Sequence, residues 1–376
     1  MTEPVVDTVV DVVDAADVIV CCGSGGVGKT TTAAVIGIEA AERGRSAVVV
    51  TIDPAKRLAD ALGLVNGLGP EPQRIDLDGK SDKEGDGELW AMMLDTAATF
   101  DGLVRQHAGD EEQIERILDN RLYRNMASAM SGTQEYMAAE TLHALHGDDR
   151  FDLVIVDTPP SRNALDFLEA PGVLSRFLDH RVFKLAMLPT RGGLKIVGTA
   201  AQPVLKAIGK VVGSDVLSDS LAFFQSFAGM ETGFRERADE VVALLRAERT
   251  SFVVVASPKR DTIAEAVWFA QQLADQEVGV AAAIVNRVQP AFTRSGDVDS
   301  SDGTDSVLAV LRRNAAELAA IRQAELAALR PLVDLVEPSP VALLPLLDAD
   351  VHDLEGLREV AAHLFDRSDE PAAENG

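Results

Sequence analysis

Uninterrupted apolar runs alternate with helical patterns along most of the chain. Asp17-Val18-Ile19-Val20-Cys21-Cys22 carries no polar residue after its aspartate, the pattern of a strand buried on both faces. The alanine-rich stretch Thr31 to Arg43 then predicts a helix. Ser46 to Asp53 reads as a buried parallel strand, and further strands are expected at Leu89 to Leu94, Asp152 to Asp157, Ser251 to Ala256 and Val278 to Arg287. A helix containing Trp268 joins the last two. Residues 66 to 88 carry Gly, Pro, Asp and Lys without periodicity and read as an exposed loop. A helix from Val307 to Leu329, strands around Leu332 to Val336 and Val341 to Leu344, and a final helix from Asp350 to Phe365 complete the pattern. The expected fold is α/β with a mainly parallel central sheet.

Two helical insertions interrupt it, at 96–146 and 165–245, and together they are expected to form a subdomain of a single domain spanning 1–376. In the first, Met126, Met130, Thr133 and Met137 fall on one helical face. That stripe reads as core, with a pliable apolar surface as the alternative. In the second, Val204, Leu205, Ile208, Val211 and Val212 precede Leu221, Phe223, Phe224 and Phe227. Packing between the insertions explains this pattern, and so does a groove for a partner helix. Residues 289–306, rich in Ser, Asp and Gly, read as a flexible loop, and 367–376 as a disordered acidic tail.

Composition narrows the partners. The 376-residue chain is 47% hydrophobic, ample for a large core, and has 60 acidic against 35 basic residues, a formal charge of −25. Such a charge disfavours nucleic acid and makes membrane contact peripheral at most. Lys184, Arg191, Lys195, Lys206 and Lys210 make one segment less acidic, more simply a solvated helix face than a binding patch. Adjacent Cys21 and Cys22 point to opposite faces of a strand, which excludes a disulfide framework and suits a reducing compartment. The start of the chain lacks a basic signal-peptide region, and no apolar run reaches membrane-span length, so a soluble, cytoplasmic protein is expected.

The candidate chemistry centres on Gly23-Ser24-Gly25-Gly26-Val27-Gly28-Lys29-Thr30, set between a strand and a helix. This arrangement cradles nucleotide phosphates with backbone N–H groups and a helix N-terminus. Lys29 would bridge the β- and γ-phosphates and Thr30 would place its hydroxyl on Mg²⁺. Asp53 ends one strand at the sheet's carboxyl edge, where it would orient or deprotonate an attacking water, or cap the next helix. Asp157 ends another and is the expected second holder of Mg²⁺. Thr158-Pro159-Pro160 follows as a candidate γ-phosphate switch. Asn286 carries an amide able to pair with an adenine edge.

With these pieces placed, the chain resembles the ATPase family that includes the arsenite-efflux pump's catalytic subunit and the eukaryotic targeting factor for tail-anchored membrane proteins. These are P-loop NTPases of the deviant Walker A class. The resemblance rests on Gly23 to Thr32, Asp53-Pro54-Ala55, Asp157-Thr158-Pro159-Pro160, Asn286 and Leu344-Pro345-Leu346-Leu347, and is greatest to the actinobacterial branch. It implies an ATP-hydrolysing dimer in which Gly25, Gly26, Val27, Gly28, Lys29, Thr30 and Thr31 hold the nucleotide. Asp53 would position the hydrolytic water, and Asp157 would support Mg²⁺ through water. Asn286 and the backbone near Pro345 would hold adenine. It also implies that nucleotide-driven closure is coupled to a helical groove for a client protein or apolar segment.

Three departures stand out. Ser24 occupies the place of the family's signature lysine, which reaches the partner subunit's phosphates. A homodimer is therefore expected to be slow, and a lysine-bearing paralogous ATPase subunit would complete a heterodimer; Arg57 or Arg162 are weaker substitutes. Only Cys21 and Cys22 are present, so the Cys-x-x-Cys zinc motif and the arsenite-binding cysteines are missing. Arg162-Asn163 replaces the family's Gly-His in the switch region.

Overall fold

In the computed structural model the described residues are 8–52, 57–77, 87–120, 123–124, 133–159, 168, 229–291 and 307–365. Asp53, Pro160, Arg162, Met126, Met130, the 204–227 apolar segment, the lysine-bearing segment around 184–210, nearly all of the 289–306 loop and the tail lie outside them. The chain forms two compact units, one of residues 1–93, 145–165 and 248–376, the other of 94–144 and 166–247.

The first unit holds the sheet. Its strands are β1 (Val18–Gly23), β2 (Ser46–Thr51), β3 (Gln73–Ile75), β4 (Glu88–Met93), β5 (Leu153–Asp157), β6 (Thr250–Ala256), β7 (Val280–Val288) and β8 (Val341–Pro345). They are ordered β3-β4-β2-β5-β1-β6-β7-β8. Every neighbouring pair is parallel except β3 with β4. All six residues of β1 are buried, as its unbroken apolar run requires of a central strand covered on both faces. Helix α1 (Val9–Ala15), α2 (Lys29–Glu42) and the final helix Leu354–Phe365 share one apolar cluster with the sheet residues Ile19, Cys21, Val49, Ile155 and Val253. Cys21 thus faces that cluster, and alternation turns Cys22 to the other side; both thiols are free and buried.

Three sequence expectations change. The stretch 66–88 contains the short edge strand β3, whose side chains at Gln73 and Arg74 stay exposed and so leave no apolar period to read. Leu332 to Val336 is not a strand but the end of a helix running Val307–Val336 through Pro331. Leu329, Leu332 and Val336 are buried at helical spacing, while exposed Pro331 leaves the carbonyl it cannot serve to solvent. The final helix starts at Leu354 rather than Asp350, because Asp353 supplies the cap: its Oδ1 accepts from Gly356 N at 2.9 Å. Val351 and His352 are thereby left in the preceding loop.

The second unit is helical where described. Asp95 caps Thr96–His107 and Asp110 caps Glu111–Leu118, each side chain accepting a first-turn N–H. With Glu231–Leu245 these bury Phe100, Val104, Ile117, Tyr136, Met137 and Phe234 in one cluster. Met137, the described methionine of the predicted stripe, is core at 1% exposure.

Candidate functional site

The glycine loop closes the turn between β1 and α2. Gly28 caps α2 with φ +104, a conformation open to glycine, and a Cβ there would stand 2.2 Å from Asn286 Nδ2. At Gly23 a Cβ would lie 2.0 Å from the Val255 carbonyl of β6. Position 23 needs glycine because another backbone lies this close, and position 28 because of its left-handed φ. Gly25 and Gly26 are exposed on the loop and Val27 is buried beneath it.

Lys29, the first residue of α2, is 7% exposed, and its Nζ donates to the Ser24 carbonyl at 2.8 Å. Burial lowers its pKa from the usual lysine value, opposed chiefly by the attraction of Asp157. An ammonium this desolvated gains most when an anion enters beside it. Thr30 Oγ1 donates to Asp157 Oδ2 at 2.7 Å, and Thr51 Oγ1 donates to the same oxygen at 2.9 Å. The second bond follows from register, since β2 sets Thr51 opposite Asp157 of β5.

A cleft of about 290 Å³ opens over the loop, lined on one side by Gly26, Gly28, Lys29, Thr30 and Thr31. Arg57, Asp60, Ala61, Thr158, Arg287, Val351 and His352 complete its wall. Of the sequence-predicted residues, Gly26, Gly28, Lys29, Thr30 and Thr31 meet at this cleft, and Asp157 joins them through Thr30. Asn286 lies beneath the loop, its Nδ2 donating to the Val27 carbonyl at 2.9 Å. Pro345 ends β8 opposite Val288, and the cleft wall beyond it is formed by Val351 and His352. Thr158 lines the cleft, yet its hydroxyl donates to the Cys21 carbonyl at 2.7 Å.

Ser24 is 6% exposed and its hydroxyl donates to Glu265 of the helix Arg260–Asp275. The position of the signature lysine is thus turned inward and bonded to a carboxylate. Sequence reading missed Thr51, Glu265 and Arg287. None belongs to a local motif; Thr51 ends its strand as Asp157 ends its own, the single hint that register could align them.

A mostly parallel sheet of this order, with a glycine loop closing the turn from β1 into α2 and a carboxylate at the end of β5, is the P-loop NTPase fold. Comparison with known proteins carries the assignment one step further. The model of the ArsA ATPase family, described as anion-transporting ATPase, matches residues 16–366, and the chain belongs to that family. The chain is similar to "ATPase get3" of Aspergillus terreus, 28% identical over 271 residues covering 71% of each chain. It is similar to "ATPase GET3" of Rhodotorula glutinis, 27% identical over 267 residues, 71% of this chain and 68% of that one. To "ATPase get3" of Schizosaccharomyces japonicus it is 28% identical over 268 residues, 71% and 72% of the two chains. The protein is an ATPase. No helix among the described residues is long and apolar enough to cross a membrane.

Proposed function

We propose that this ATPase binds Mg²⁺·ATP in the cleft over the glycine loop and uses hydrolysis to switch a surface for a client protein or apolar segment. The observation that carries the reading is the pairing of a buried Lys29 ammonium with a Thr30–Asp157 hydroxyl–carboxylate contact at one end of the same cleft. Hard oxygen donors on Thr30 and Asp157 suit Mg²⁺, which would supply charge neutralisation at the phosphates. Gly25 to Gly28 present backbone N–H groups, Lys29 binds the β- and γ-phosphates, and Thr31 contacts the α-phosphate. Asp53 orients the water that attacks the γ-phosphate. The base lies toward Asn286, Val351 and His352, beyond the backbone near Pro345. The resemblance to tail-anchored-protein targeting factors supports a client with an apolar helix and a working dimer.

A second reading draws on Ser24. A serine offers a partner no cation, and here its hydroxyl is turned inward onto Glu265. This favours a subunit that turns over slowly alone and is completed by a lysine-bearing paralogue. Steady-state ATP hydrolysis over a wide range of protein concentration, with Lys29→Ala as blank and Mg²⁺ withdrawn in parallel, tests both. Mg²⁺-dependent turnover per mole that rises with concentration supports a competent homodimer. Turnover equal to the blank refutes it and leaves the partner-dependent subunit.

A further inference from the structure

Two consecutive residues at the end of β7 hold two consecutive carbonyls of the glycine loop. Asn286 Nδ2 donates to Val27 O at 2.9 Å, and Arg287 Nη1 donates to Gly26 O at 3.3 Å. Neighbouring residues of a regular strand point to opposite faces, so this pairing needs a local device. The strand supplies one. Pairing with β8 jumps from Val285↔Leu343 to Val288↔Pro345, so β7 spends one more residue than its partner. At this bulge Arg287 takes φ +66, a left-handed conformation that a non-glycine residue seldom adopts. The bulge re-aims the arginine so that its exposed side chain reaches the Gly26 carbonyl from the rim of the cleft.

We infer that Arg287 is a positioning residue for the phosphate cradle. A trans peptide points its C=O and its N–H in opposite directions. Fixing the carbonyls of Gly26 and Val27 on Arg287 and Asn286 therefore turns the N–H groups of Val27 and Gly28 away from them, toward an incoming β-phosphate. The strained backbone at Arg287 is what places the guanidinium at the first of these carbonyls. Asn286 shares the task, so its amide acts on the loop as well as on any base beyond it. This inference rests on the glycine loop being the nucleotide cradle.

The test compares ATP, ADP and AMP binding by calorimetry, with Mg²⁺ present, in the wild type, Arg287→Gly and Arg287→Lys. Glycine accepts the left-handed backbone, so its effect isolates the guanidinium; lysine keeps a donor that reaches the carbonyl. Loss of one charged donor predicts that Arg287→Gly binds ATP and ADP about tenfold more weakly, by the same factor, with AMP unchanged and Arg287→Lys restoring most of the loss. Amide exchange in the nucleotide-free protein should rise over residues 24–28 in Arg287→Gly alone. A loss shared by AMP would put the guanidinium on the base or ribose, and a loss confined to ATP would put it on the γ-phosphate. Either result, or unchanged binding with unchanged exchange, overturns the inference. If the wild type bound none of the three, or Lys29→Ala bound them as well as the wild type, the cradle reading itself would fail, irrespective of Arg287.

Discussion

Thr51→Val separates the support of Asp157 from the cradle itself. Thr51 is 2% exposed and Asp157 1%, and their hydroxyl–carboxylate contact is 2.9 Å. Valine matches threonine in volume, so no cavity opens, and the loss is that of one hydrogen bond to a buried charged group. Such a bond contributes about 2 kcal/mol. Both tryptophans, Trp90 and Trp268, lie in the sheet-bearing unit, so thermal unfolding followed by tryptophan fluorescence reports on that unit. With about 2–4 °C per kcal/mol for a domain of this size, the midpoint should fall by about 4–8 °C. Thr51→Ser keeps the donor and loses one methyl, for about 1 kcal/mol. On the proposed Mg²⁺ site, Thr51→Val should also need more Mg²⁺ in turnover assays, because Asp157 would be less firmly held if Thr30 turned to the cation. A midpoint within 1 °C (about 0.3–0.5 kcal/mol) of the wild type, or Thr51→Ser as damaging as Thr51→Val, would refute the reasoning.

Three further outcomes follow from the same geometry. Burial lowers the Lys29 pKa, so its charge is lost as pH rises through a value below 10.5, and ATP affinity should fall there with proton uptake on binding. Calorimetry from pH 7 to 10 in buffers of different ionisation heat checks this, and flat affinity with no uptake contradicts it. Cys22 is pushed up to about 12 by burial and Cys21 is raised as well, so iodoacetamide at pH 8 should label neither thiol until the protein unfolds. In the helical unit, Arg237 pairs with Glu140, which is 3% exposed and whose pKa burial raises against the arginine's pull. Arg237→Met should cost that unit about 3–5 kcal/mol at pH 7, read by amide exchange. A raised carboxyl pKa means stability present at low pH and lost as pH rises through it, so the deficit should shrink on acidification, and Glu140→Gln in the same chain should recover most of it.

Much of the site was legible because its parts are local. The glycine loop is eight adjacent residues whose chemistry depends on their order, and Asp157 closes a β-branched run, Val154-Ile155-Val156, that favours a strand. Burial on both faces made β1, β2 and β5 stand out, as their central residues are all apolar and only their ends carry polar groups. The edge strand β3 and the helix end at Leu332 to Val336 were illegible for the opposite reason. A three-residue strand exposed at two positions has no period, and a five-residue segment that is apolar except for Asp334 fits strand and helix alike.

What the sequence determined by itself was the fold class and the position of the glycine loop, since these follow from patterns within a few residues of one another. Which residues stand around that loop was decided by tertiary structure alone. Thr51 reaches Asp157 through strand register, Glu265 reaches Ser24 across 241 positions, and Arg287 reaches Gly26 across 261. The physical reason is that a hydrogen bond requires two groups within about 3 Å, and for groups so far apart in the chain only the order of strands and the bulge in β7 bring them that close.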